Sequence, residues 1–195
     1  MAVLRGVIVL GIALGAEDRH AHRGGVALCV PMRLVEVVYA LLPAYVANMA
    51  APFARFWPEW NRPISRQWLG DHKTVVGFLL GVVAAILTSY VQSRSSWSPP
   101  GLEPPNWLVL GCAQGVGAMT GDAVKSFFKR RIGIGPGGRW IPADQLDFII
   151  GAMVLGLPWL ALTALDVMLV LGFTFVAHII VNHAAFRLRI RDTKW

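Results

Sequence analysis

Charge in this chain is gathered into short segments, and the stretches between them are apolar over lengths that call for a bilayer. Residues 34–53, 74–91, 107–120, 145–165 and 166–186 hold almost no Lys, Arg, Asp or Glu. In a lipid interior every backbone N–H and C=O must be satisfied within the protein, so such runs form helices. About 20 residues make one crossing. Of 195 residues only 15% are charged and 55% are hydrophobic, where a soluble domain carries about 25% charged residues. The expectation is an all-α integral membrane protein, a bundle of about five transmembrane helices with a polar site on its cytoplasmic face.

The net charge of +7 does not point to nucleic acid. The positive residues sit in loops that flank apolar runs, where topology and anionic phosphates account for them. The loop after the first run has four Lys or Arg, the segment 121–148 has five and the tail has four. The connector at 92–106 has one and the turn at 165–167 none. The positive-inside rule then gives a multi-pass cell-membrane protein with its N-terminus outside and its C-terminus cytoplasmic. Cys29 and Cys112 lie in apolar surroundings without metal or disulfide spacing, and read as small buried residues.

The densest polar stretch is GDAVKSFFKRRIGIGPGGRWIPADQLDF, residues 121–148. Read as a helix, Asp122, Lys125, Ser126 and Lys129 share one face. The glycines and Pro136 of IGIGPGG cannot lie inside a helix. A second helix is expected near Pro142, with Asp144 and Asp147 on its opening turns. Three carboxylates and at least three cations thus meet at the mouth of an apolar bundle. Such a set suits a divalent metal and phosphate oxygens. It is also what a basic cytoplasmic loop and acids opposing a helix dipole would produce.

Other polar residues stand at the edges of the apolar runs. GDHKTVVG, residues 70–77, sets Asp71, Lys73 and Thr74 before the second run. Lys73 is placed to meet a phosphate or to snorkel at a helix end, and the glycine spacing is not that of a phosphate-binding P-loop. Pro43 is expected to kink the first run, which also holds Asn48. Trp57, Trp60 and Trp68 suit a membrane interface. Gly111 with Gly115, and Gly117 with Gly121, allow close helix approach. His178 and Asn182 share one face of the last run, as packing glue or facing a site. Residues 1–31 are too short in their apolar part to span comfortably. They are expected to be dispensable or never translated, leaving 32–195 as a single transmembrane domain. His20 and His22 in that extension read as part of a solvated tail.

Taken together, LPAYVANMAAPF (42–53), GDHKT (70–74), GDAVKSFFKRRIGI (121–134), ADQLDFIIGA (143–152) and HIIVNHAAFRLRIRDTKW (178–195) resemble the CDP-archaeol synthase family. That family is similar in turn to the CDP-diacylglycerol synthases, with their Ser-x-x-Lys-Arg segment and later Asp-x-x-Asp. The resemblance covers about residues 34–195. The chain departs from the family pattern at His72, where a glycine is usual, at Val75 and Val76, which replace a tryptophan and an arginine, and at Ser65, near which an acid is usual.

The resemblance implies a cytidylyltransferase that joins CTP to an unsaturated archaeal ether-lipid phosphate and releases pyrophosphate. It implies Mg²⁺ held by Asp122, Asp144 and Asp147. Lys73, Lys125, Lys129 and Arg130 would bind triphosphate or lipid phosphate. Asp71, Thr74, Asn48, Ser126, His178 and Asn182 would line the site. Lys73, Asp122, Lys125, Asp144 and Asp147 would carry the chemistry. Ester-linked phosphatidic acid is the alternative substrate. A transporter or a non-catalytic scaffold are the rival classes. A transporter favours internal inverted repeats, which the sequence lacks, and a scaffold does not need three acids set against lysines.

Overall fold

A computed structural model describes residues 26–95, 106–135 and 138–187. The chain divides into two units, Met1–Met32 and Arg33–Trp195, and the helical bundle and its site belong to the second. His20, His22 and the basic tail beyond Arg187 lie outside the described residues. The elements are α1 (Val26–Ala40), α2 (Leu42–Ala50), a 3₁₀ turn (Ala51–Phe56), α3 (Val75–Arg94), α4 (Trp107–Arg131), α5 (Ala143–Gly156) and α6 (Ala164–Arg187). Among the described residues there is no strand, only an isolated bridge between Pro63 and Thr74.

Two helices, Val75–Arg94 and Ala164–His183, are long and apolar enough to cross a membrane. A third crossing is available if Arg33–Ala40 and Leu42–Phe56, bent by 49°, act as one broken span. The outer faces of α3 and α6 show what surrounds them. Leu79, Val83 and Leu87 recur every four residues on α3 and are about half exposed, as are Val176 and Ile180 on α6. An apolar stripe of that kind is stable against lipid tails. The chain is a multi-pass membrane protein.

The expected runs 145–165 and 166–186 are placed differently in the fold. α5 stops at Gly156, and an irregular segment at 157–163 leads to α6. Pro158 lacks the N–H that would continue the helix. At 14 residues α5 is about 21 Å long, short of the hydrocarbon thickness of about 30 Å. α4 has 25 residues, but its last part is the polar end that carries the site. The expected count of about five crossings therefore rests on α4 and α5, neither of which is a simple apolar span.

Pro43 breaks the first run as expected, and the break is repaired from neighbouring helices. A proline at 43 cannot donate to the carbonyl of Tyr39, and the turn at Leu41 draws the Ala44 N–H to Leu41. Two glutamines take the freed carbonyls. Gln92 of α3 donates to Tyr39 at 2.6 Å, and Gln114 of α4 donates to Ala40 at 2.8 Å. Gln114 is completely buried. At this depth water cannot substitute, which is how a membrane protein tolerates broken helices.

α4 is the central helix, packed on α3 and α5, and its glycines set both distances. A Cβ on Gly115 would lie 2.9 Å from Ala85 Cβ of α3. On the other side, a Cβ on Gly117 would meet the Gly151 carbonyl oxygen at 2.5 Å, and one on Gly121 would collide with the Asp147 carbonyl. The two glycine pairs seen in the sequence thus serve different neighbours. A hydrogen bond between Tyr45 and Thr174 (2.5 Å) ties α2 to α6. Arg33 grips the buried Asp166 through two 2.8 Å bonds, joining α1 to the start of α6.

Gln114→Leu should leave the Ala40 carbonyl without a donor, at a cost of about 1–3 kcal/mol. Thermal unfolding in detergent should show a lowered midpoint. An unchanged midpoint would mean the Ala40 carbonyl finds another donor.

Candidate active site

Three stretches meet at one end of the bundle: the loop before α3, the C-terminal end of α4 and the first turns of α5. Each is held by local rules. The loop folds back on itself, with Ile64 donating to Lys73 at 2.8 Å and Val75 to Arg62 at 3.0 Å. Thr74 caps α3, its hydroxyl accepting from the Gly77 N–H. Gly70 has a φ of +84°, a left-handed conformation that favours glycine. Its open side admits the Arg130 guanidinium, which a Cβ would approach to 3.0 Å.

α4 ends in a Schellman motif, in which Ile134 donates to Lys129 at 2.9 Å and Gly133 to Arg130 at 3.3 Å. Gly133, with φ +77°, makes the left-handed turn. The chain then returns to α5 with Pro142 just ahead of its first helical residue, Ala143. That return puts Asp144 and Asp147 against the Asp122–Lys129 face of α4.

Lys125 is the centre of the result. Its Nζ lies 3.0 Å from Asp122, 2.7 Å from Asp147 and 3.4 Å from Asp144. Lys73 pairs with the other oxygen of Asp122. Lys129 reaches both oxygens of Asp144, at 2.9 and 3.0 Å, and the Gly138 carbonyl at 2.5 Å. Asp144 also accepts from the Trp140 N–H at 2.7 Å. The sequence reading set one helix face of acid and base beside an acidic helix start, and the fold interlocks them. Ser126 is buried in this face and donates to the Asp122 carbonyl at 2.9 Å.

Two cavities flank the network. One, of about 580 Å³, is lined by Asn48, Pro52, Phe78 and Met119 as well as Asp71, Thr74 and Asp122. The other, of about 380 Å³, is bordered by Lys125, Lys129, Arg130, Arg139, His178 and Asn182, with Ser126 and Asp144. Lys73 and His72 line both. Asp71 sits outside the network and pairs with Arg66 at 3.2 Å on the surface. Asn48 lines the larger cavity together with Asp71 and Asp122. His178 is seated on the buried Phe148, with ring centroids 5.8 Å apart.

Arg139, His72 and Gln145 were not singled out as site residues in the sequence, yet all three line these cavities. Arg139 counted there only as a basic loop residue, and His72 only as a departure from a glycine. Gln145 had a signal in its place between Asp144 and Asp147. It is buried, with its Oε1 lacking a hydrogen-bond donor.

The donor set fits a hard divalent cation. It offers three carboxylates around the Lys125 ammonium, and oxygen-only ligation is what Mg²⁺ prefers. The Asp147 Oδ2 is buried, and although it is close to Lys125 it lies off the hydrogen-bond direction and keeps a lone pair unused. Among the described residues no three acids, imidazoles or thiols already share a metal-binding point. The Lys125 ammonium holds the centre of the acid triad instead.

An all-helical membrane protein with acids, lysines and arginines gathered between two cavities at one end is built to bring polyanions together in a bilayer. Comparison with known proteins agrees with that class. The family model for CarS-like proteins, CDP-archaeol synthase, matches residues 31–195, and the chain belongs to that family. It is 36% identical over 173 residues to the CDP-archaeol synthase of Methanospirillum hungatei, covering 80% of this chain and 100% of that one. It is 35% identical to the CDP-archaeol synthase of Sulfolobus acidocaldarius, over 83% of this chain and 98% of that one. A solved structure described as an intramembrane enzyme for archaeal membrane lipids biosynthesis superposes with a TM-score of 0.59 at 28% identity. It covers 76% of this chain and 94% of that one.

Lys125→Met should leave Asp147 without an ion-pair partner among the described residues and strip Asp122 and Asp144 of one cation each, destabilising the protein by about 3–5 kcal/mol. Adding Asp147→Asn should restore part of the lost thermal midpoint, because one uncompensated charge is removed. Equal midpoints for the wild type and the single variant would mean that Lys125 does not neutralise the acids.

Proposed function

We propose that this chain transfers the cytidylyl group of CTP to an unsaturated archaeal ether-lipid phosphate, releasing pyrophosphate. The observation that carries this reading is the Lys125-centred network between two cavities of different character. The arginine- and lysine-lined cavity suits a triphosphate. The larger one, with Pro52, Phe78 and Met119 beside Lys73 and Thr74, suits a lipid phosphate whose chains lie in the bilayer.

An oxygen of the lipid phosphate attacks the α-phosphorus of CTP, and the bond to the β-phosphate oxygen breaks. No catalytic base is required, since a phosphomonoester with a second pKa of about 6 is already largely dianionic at neutral pH. The obstacle is repulsion between two polyanions. Lys73 borders both cavities and meets both anions where they approach. Lys125, Lys129 and Arg130 draw the triphosphate in, and the chain's dipoles hold the in-line geometry. Asp122, Asp144 and Asp147 would hold Mg²⁺, which supplies charge neutralisation at the phosphates. Lys125 is displaced from the acids toward phosphate oxygens as the site fills. His178, Asn182 and Ser126 line the nucleotide side, and Asn48, Asp71 and Thr74 the lipid side. The positive-inside count supports a cytoplasmic site, an outer N-terminus and a cytoplasmic C-terminus.

The test is transfer of label from α-labelled CTP into lipid by the purified full-length protein. The unsaturated ether-lipid phosphate and phosphatidic acid are compared as acceptors. Label should enter the ether lipid. Absence of label with either acceptor, in folded protein, would overturn the reading. Asp144→Asn should cut turnover about a hundred- to thousandfold, the scale set by losing one positioned electrostatic contact of about 2.7–4 kcal/mol. A near-normal rate would remove Asp144 from the machinery. Chelation should stop transfer and Mg²⁺ should restore it; transfer that persists in excess chelator would exclude a divalent metal.

A further inference from the structure

A third cavity, of about 290 Å³, lies beside the catalytic one and is lined by Gln67, Trp68, Phe127, Arg130 and Arg131. Trp68 stacks on Phe127 with centroids 5.6 Å apart and planes 13° from parallel. The Arg131 guanidinium lies over both rings, 5.2 Å from Trp68 and 5.4 Å from Phe127. Several neighbouring cations at this end have oxygen partners. Lys73, Lys125 and Lys129 face carboxylates, Arg66 faces Asp71 and Arg130 donates to the Ile134 carbonyl. Among the described residues the Arg131 side chain has no ion pair or hydrogen bond, only the two rings. The aromatic platform holds an exposed planar cation in place, and a guanidinium stacked in this way suits bidentate capture of a phosphate.

The surroundings say which phosphate. Trp68 in the cavity wall and Phe128, whose ring packs on Phe127, are about half exposed, at the polar end of a helix in a membrane bundle. Exposed aromatic and apolar side chains beside a free cation belong in the interface layer, where rings sit at head-group level. A site for a soluble anion has no use for that rim. We infer that the Trp68–Phe127–Arg131 cavity is an accessory site for the phosphate head group of an anionic lipid in the surrounding bilayer. Arg130 lines both this cavity and the one assigned to the triphosphate, so a head group held on Arg131 stands beside the nucleotide side of the site. The binding does not rest on the cytidylyl-transfer reading.

Binding is tested without CTP, by native mass spectrometry of the full-length protein in neutral detergent. The two lipids added are an ether-linked phosphatidylglycerol and its phosphatidylcholine counterpart. The wild type should retain the anionic lipid and not the zwitterionic one. Arg131→Ala should weaken that retention about fivefold, the attraction one surface cation gives toward anionic lipid, with an unchanged thermal midpoint. Arg131→Lys should fall between, keeping the charge and losing the planar stack. Equal retention by wild type and Arg131→Ala, or equal retention of both lipids, would overturn the site. Displacement of the lipid by millimolar inorganic phosphate would overturn the lipid assignment. A wild type that binds lipid but transfers no label would fail the function reading and leave the site standing.

Discussion

Mutual neutralisation of charge at a membrane face is the constraint on which this structure turns. Three carboxylates and three ammonium groups are drawn together at one end of an apolar bundle, and Lys125 touches all three acids. Burying any one of these charges alone would cost several kcal/mol. Together they form a network that is close to neutral. Stability and the proposed chemistry thus draw on the same contacts.

That network exists because helices approach without side chains between them. The Gly117–Gly121 edge of α4 lies against Gly151 and the Asp147 backbone of α5. A methyl group at either place would push Asp122 and Lys125 away from Asp144 and Asp147. Packing in a membrane has no large hydrophobic gain to draw on, so close contact between small residues carries it. The same economy is visible at Pro43, where Gln92 and Gln114 supply the hydrogen bonds that the broken helix gives up. These glutamines link α3 and α4 to the first run and hold the bent segment that walls the larger cavity.

Much of this was legible in the chain. Apolar run lengths announced helices in a bilayer, Pro43 announced a break, and the glycine run at 132–138 announced the end of α4. The members of the charge network Asp122, Lys125, Lys129, Asp144 and Asp147 could be named because they cluster within 26 positions of a segment that is otherwise framed by apolar residues. The end of α5 at Gly156 was hidden, because residues 157–165 are as apolar as the helix before them and hydropathy alone does not register a change of backbone. Arg139 and Gln145 were hidden as well. A lone arginine in a basic loop looks topogenic until the loop is folded over a cavity.

By itself the sequence determined that this is a helical membrane protein, which residues bear charge, and that those charges lie near the ends of apolar runs. Those are properties of local composition, and a bilayer enforces them segment by segment. Only the tertiary structure decided that Lys73 pairs with an acid 49 positions away. It alone set Lys125 as the shared centre of three acids and, among the described residues, left Arg131 on a pair of rings without an oxygen partner. Those outcomes depend on helix spacing and on the turn after α4. They are relations between segments, and no single stretch of sequence contains them.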